Sequence, residues 1–154
     1  MMNNVDHIYI LEDLNAFTHM VIYFEENVTP TPEQVNRDFE IIREMAANEE
    51  FFLVVDLSRT NPPSIEVRKT LKRNFNSLKD QLLKVFIFTG KNKFMNIAAK
   101  FVFSSAGIKN FILFTTREQT INSIPRKSSW NFQAMIFDKI IARHKLGWPN
   151  LSTR

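Results

Sequence analysis

Three short, unbroken apolar runs, at residues 51–55, 85–88 and 111–114, recur at intervals of about 30 residues, and the segments between them space their apolar side chains three and four apart. Runs of that length fit strands buried on both faces of a parallel sheet, and segments with helical periodicity fit the helices that cross between parallel strands. The alternation predicts an α/β fold and argues against an antiparallel sandwich or an all-helical bundle.

Before the first of these runs, residues 7–11 and 17–24 are β-rich and are separated by the turn residues Glu12, Asp13, Leu14 and Asn15, which predicts an opening antiparallel hairpin. Thr31-Pro32-Glu33-Gln34 combines an N-cap hydroxyl, a proline at the first helical position and a glutamine at the capping-box position. A helix to about residue 48 follows, with Val35, Phe39, Ile42 and Ala46 as its apolar stripe. Ser64 is the expected N-cap of a second helix with the stripe Val67, Leu71, Phe75, Leu78 and Leu82, and with Arg68, Lys69, Lys72 and Arg73 on its other side. Phe94, Ile97, Ala98, Phe101 and Ser105 mark a third helix that stops at Gly107, and Thr116-Arg117-Glu118-Gln119 opens a short fourth one to about residue 123.

These elements divide the chain into an α/β domain at residues 1–124 and a tail at 125–154. The tail reads as a linker followed by a helix over residues 130–145, ending at Gly147. Phe132, Ile136 and Ile140 form one row on that helix, and Trp130, Ala134, Phe137 and Ile141 form another. A single neighbour covers one broad stripe, so Trp130, Phe132, Ile136, Phe137, Ile140 and Ile141 are candidate interface residues, packed on the domain or in a homodimer.

Composition narrows the chemistry. The 154 residues include 15 phenylalanines and only 3 glycines, apolar mass enough for a sizeable core and no sign of low complexity. With no cysteine there is no disulfide framework, thiol nucleophile or cysteine-based zinc site. His7, His19 and His144 are too scattered to form a ligand pair at i, i+3 or i+4, so neither a metal nor a cofactor is expected. No stretch approaches the roughly 18 apolar residues of a membrane-spanning helix, and the N-terminus lacks the layout of a signal peptide, so a cytoplasmic location is expected. The Asn-x-Ser/Thr triplets at Asn27 and Asn150 are read as chance matches on that account. Residues 1–50 carry eleven acidic side chains against only Arg37 and Arg43, so the remainder of a chain with a net charge of +4 is strongly basic. Such asymmetry fits solvated faces or an anionic partner for the basic part.

The hairpin start, the strand Leu53-Val54-Val55-Asp56-Leu57 entering a loop and helix, the strand Lys84-Val85-Phe86-Ile87-Phe88-Thr89, and the run 111–114 followed by a short helix together resemble the STAS domain, the SpoIIAA-like fold of anti-sigma-factor antagonists. The resemblance spans residues 5–124 and implies a mostly parallel or mixed sheet of about five strands, with helices mainly on one face. It also implies a non-enzymatic regulatory role in binding partner proteins, nucleotides or lipids, switched in several members by phosphorylation at the start of the second helix. Here that place reads Asn61-Pro62-Pro63-Ser64-Ile65, without the aspartate usual before the acceptor, so Ser64 is the phosphoacceptor candidate that the resemblance implies. Ser58 and Thr60 are weaker ones.

For catalysis, Asp56 at the carboxyl end of a strand is the best single candidate, but no histidine or second acid is tied to it in sequence; such an aspartate commonly hydrogen-bonds the following turn. The phosphate-cradling glycine patterns are absent. Lys91 and Lys93 sit at the start of the third helix, where cations oppose the helix dipole, and an anion there would relieve the conflict; Arg59 on the neighbouring loop completes a candidate anion site. Nucleic acid is not expected, because no platform motif is present and Phe94 and Phe101 fall at core spacing. Peripheral lipid contact would use Trp130, Trp148 and the basic half. Two functions stay open at this level: a regulatory protein-interaction module, and a small anion- or lipid-binding domain using Arg59, Lys91 and Lys93.

Overall fold

The structure, a computed structural model, describes residues 6–12 and 17–127. Five strands, β1 (Ile8–Ile10), β2 (Met20–Glu25), β3 (Phe51–Asp56), β4 (Leu82–Phe88) and β5 (Phe111–Phe114), form one sheet in the order β1-β2-β3-β4-β5. β1 and β2 pair antiparallel and every other pair is parallel, so the sheet is mixed, with β3 at its centre. The helices are α1 (Pro32–Ala46), α2 (Ile65–Leu78), α3 (Lys93–Ser105) and α4 (Arg117–Asn122). This is an α/β fold of the class expected, and its strand pairing is consistent with a SpoIIAA-like arrangement.

Local chemistry explains the starts and stops. The Thr31 hydroxyl accepts from the Gln34 N–H while the Gln34 side chain accepts from the Thr31 N–H, a complete capping box. The Ser64 hydroxyl accepts from the Val67 N–H at 3.2 Å, as expected of an N-cap. One boundary differs from the sequence expectation. The stripe that ran on to Leu82 ends with α2 at Leu78; the Gln81 N–H bonds the Leu78 carbonyl, and Leu82 opens β4 opposite Phe51. Leu78 and Leu82 are four apart, so periodicity alone carries a helix across the turn between them.

Alternation sorts the strand residues onto two faces. Ile22, Phe24, Leu53, Val55, Val85 and Ile87 face α1, α2 and α3 in the main core. Aromatic rings link this layer from one side to the other: Phe24 with Phe39 of α1, Phe39 with Phe75 of α2 at 4.8 Å, Phe75 with Phe103 of α3 at 4.4 Å, and Phe103 with Phe111 of β5. Each such pair contributes about 0.5–1.5 kcal/mol beyond the area it buries. The chain of rings ties three helices to the sheet and fixes which side of α2 and α3 turns inward. Tyr23, Val54 and Asp56 lie on the opposite face, where Arg117 of α4 packs over the Tyr23 ring, so α4 covers that side.

The described residues fall into two compact units: 6–12 with 19–124, and 17–18 with 125–127. The first contains the sheet and α1 to α4. In the second, Phe17 and Arg126 form an antiparallel bridge, the Thr18 N–H bonds the Pro125 carbonyl, and the Arg126 guanidinium lies 4.9 Å from the centre of the Phe17 ring. The expected terminal helix at 130–145 lies outside the described residues, and so do the interface candidates Trp130, Phe132, Ile136, Phe137, Ile140 and Ile141.

Candidate functional site

α3 is apolar on two sides. Met95, Ala99, Val102 and Phe103 pack inward, leaving Phe94, Ile97 and Phe101 on the outside, exposed by 75%, 67% and 61%. Their spacing of three and four places them in one row along the helix. The expectation that burial accounts for Phe94 and Phe101 is therefore overturned. The pattern supports a helix, but the inward stripe is the one beside it, selected by the ring contact of Phe103 with Phe75 and by the burial of Met95 against the sheet's helical layer. Ile65, the first residue of α2, is also exposed, by 57%.

Between the two helices runs a hollow of about 710 Å³, its open mouth included. Ile65, Arg68, Lys69 and Lys72 line it from α2, and Phe101 and Ser105 from α3. No carboxylate lines it, and among the described residues none of the three cations forms an ion pair. The α2 residues are brought together by helical spacing: with Val67, Leu71, Phe75 and Leu78 turned inward or partly so, positions 65, 68, 69 and 72 fall on the flank toward α3. Val102 lines this hollow and also a narrower cleft on its inner side, walled by Leu71, Phe75 and Met95 and otherwise apolar except for Glu26 and Thr60. The cleft encloses about 450 Å³ with its mouth.

Asp56 is engaged by the chain itself. One carboxylate oxygen accepts from the Ser58 N–H at 3.0 Å and from the Ser58 hydroxyl at 2.6 Å, and the other accepts from the Tyr23 hydroxyl at 2.9 Å. Arg117 Nε donates to the Tyr23 hydroxyl oxygen at 3.2 Å, with its guanidinium stacked on the Tyr23 ring. Burial, followed by the Asp56 carboxylate, pushes the Tyr23 phenol well above its ordinary value, so it remains a hydrogen-bond donor. This arrangement closes the β3–α2 turn and clamps α4 to the sheet. Tyr23 and Arg117 had no signal in the sequence, because their meeting depends on the register of β2 against β3 and on which face α4 takes.

A second buried polar cluster joins β1, β2 and α1. His7 Nε2 lies 2.9 Å from Asp38 Oδ1, the other Asp38 oxygen is buried without a protein partner among the described residues, and Glu26 accepts from the Asn27 N–H. Burial raises Asp38 above the usual carboxylate range against the opposing effect of His7, and raises Glu26 to about 7 with the nearby Asp38 charge adding to it.

The anion-site candidates lie on two touching loops: a Cβ at Gly90 would sit 3.7 Å from that of Ser58. Arg59 is 3.5 Å from Glu25 across the surface, and Lys91 and Lys93 are exposed on either side of the α3 N-cap, Asn92. The Asn92 side chain accepts from the Phe94 and Met95 N–H groups, so the amides an anion would use at that terminus already have a partner. Thr89 is buried beside it, hydrogen-bonded to Asn96. Ser64 is exposed at the start of α2, next to Ile65 at the end of the basic hollow.

No helix among the described residues is long and apolar enough to cross a membrane, and no group of three or more acidic or histidine side chains among them is placed to hold a metal ion. The sequence matches no protein-family model and no curated protein.

Proposed function

We propose that the chain is a non-enzymatic regulatory module that works by binding another protein along the α2/α3 face. The observation that carries this reading is the exposed row Phe94, Ile97 and Phe101, which reaches at Phe101 the hollow that Ile65 and three cations line without a carboxylate among them. Large apolar side chains standing together on a surface are a mark of an interaction site. Burying them against a partner is worth about 1.5–3 kcal/mol each. Two further observations support a binding role over a catalytic one: Asp56 is committed to Ser58 and Tyr23, and the inner cleft is narrow and almost wholly apolar.

Ile65 and Ile97 favour a protein over a nucleic acid, since aliphatic side chains offer no ring on which a base can stack. The test is affinity capture from the native host with the full chain and with the triple variant F94S/I97S/F101S, followed by calorimetry of each captured protein with both purified chains. A protein that binds the parent chain directly and loses the variant supports the reading. Captured proteins that bind both chains equally well contradict it.

A further inference from the structure

The proposed docking face carries enough asymmetry to state what its partner looks like. Its apolar row lies on α3, at positions 94, 97 and 101, while its charge lies on α2, where Arg68, Lys69 and Lys72 border the hollow without a carboxylate among them. The two strips lie on neighbouring helices and meet at Phe101, which lines the hollow together with Arg68, Lys69 and Lys72. A complementary surface therefore needs apolar groups in a line and negative charge along one edge of that line, which is the pattern of an amphipathic helix with acidic residues on one flank. α3 has 13 residues, so a facing helix of about four turns matches its length.

From these observations we infer that the partner presents an acidic amphipathic helix, which lies along the outer side of α3 at the edge of the hollow, with its apolar anchors on Phe94, Ile97 and Phe101 and its carboxylates on Arg68, Lys69 and Lys72. This inference rests on the protein-docking reading above. The chain's own acidic helix is not such a partner in a second copy: α1 displays Glu33, Glu40 and Glu44 outward, but its apolar residues Val35, Phe39, Ile42 and Met45 are buried in the core. An anionic lipid surface would meet the same cations, but it would be indifferent to the spacing of apolar groups, and this separates the two in an experiment.

The experiment is selection of displayed random peptides of about 15 residues on the full chain, with the enriched peptides synthesised and titrated by fluorescence anisotropy. The inference predicts enriched sequences with apolar residues at i, i+3 or i+4, and i+7 and with Asp or Glu on one flank. Their affinity falls at least tenfold for K69E/K72E, falls with added salt, and is abolished by F94S/I97S/F101S. Enriched peptides that require the α3 row but carry no acidic bias, and bind K69E/K72E undiminished, overturn the inference and leave the docking reading standing. Peptides whose binding ignores the α3 row overturn both, as does tight binding of phosphatidylserine vesicles that is lost in F94S/I97S/F101S while no peptide is enriched. Folding of both surface variants is checked by circular dichroism and thermal melting, because every substituted side chain lies on the surface.

Discussion

Phe94 and Met95 are neighbours in α3 and about a quarter-turn apart on it, yet Met95 is 2% exposed, buried beneath the helix, and Phe94 stands in solvent. The same division runs along the helix, with Ala99, Val102 and Phe103 following Met95 inward and Ile97 and Phe101 following Phe94 outward. A stability-driven sequence has no use for the outer row, so its removal should cost the fold nothing.

Replacing Phe94, Ile97 and Phe101 with serine should change unfolding free energy by no more than about 0.5 kcal/mol per site, the usual range for surface positions. Phe75→Ala, which removes the ring between Phe39 and Phe103, should cost about 3–5 kcal/mol. Urea denaturation of the two variants checks the contrast; a large loss in the triple serine variant would mean that the row serves the core.

This division is where reading the sequence reached its limit. The strands were legible because residues 51–55 and 111–114 are unbroken apolar runs, and the starts of α1 and α2 because Thr31 and Ser64 carry the capping chemistry. α3, however, has two apolar stripes, and periodicity does not say which one meets the sheet. The choice is made by Phe103 reaching Phe75, two rings whose sequence separation hides their contact. The Tyr23–Asp56–Arg117 network was illegible for a related reason: Tyr23 sits opposite Val54, and its reach to Asp56 exists only once β2 and β3 are in register.

Tyr23→Phe isolates that network, because it keeps the ring stacked 5.1 Å from Tyr9 and beneath Arg117 while removing only the hydroxyl. The buried Asp56 oxygen then loses its donor, at a cost of about 1–3 kcal/mol. Equilibrium denaturation measures it, and a change within about 0.5 kcal/mol would show that the hydroxyl adds nothing to the attachment of α4.

Glu26 sets the pH response. With its carboxyl at about 7 when folded and 4.5 as the ordinary value, the folded chain holds a proton that the unfolded chain has released between those limits. Stability therefore falls as pH rises from about 4.5 to 7, in the direction that Asp38 also contributes, and levels off above. Glu26→Gln should flatten part of this slope and raise the melting temperature at pH 8, where the wild-type chain buries a charge. Thermal melts at a series of pH values check both; a wild-type chain that gains stability over that interval would reverse the sign.

Ser64→Ala removes the acceptor of the Val67 N–H and should cost about 1 kcal/mol, whereas Ser64→Asp retains an acceptor at the cap and should stay near the parent stability. Denaturation midpoints of the pair separate capping from a general effect of substitution at the start of α2; equal losses in both would contradict the capping role.

Site-specific photo-crosslinking in the native host tests the docking face directly. Benzoylphenylalanine replaces Phe101 on the outer row of α3 and, in a control chain, Glu44 on the exposed side of α1. The account predicts discrete protein adducts at position 101 that are absent at position 44 and disappear when Phe94 and Ile97 are changed to serine. Adducts formed equally at both positions, or none at position 101 while the chain remains folded, would contradict it.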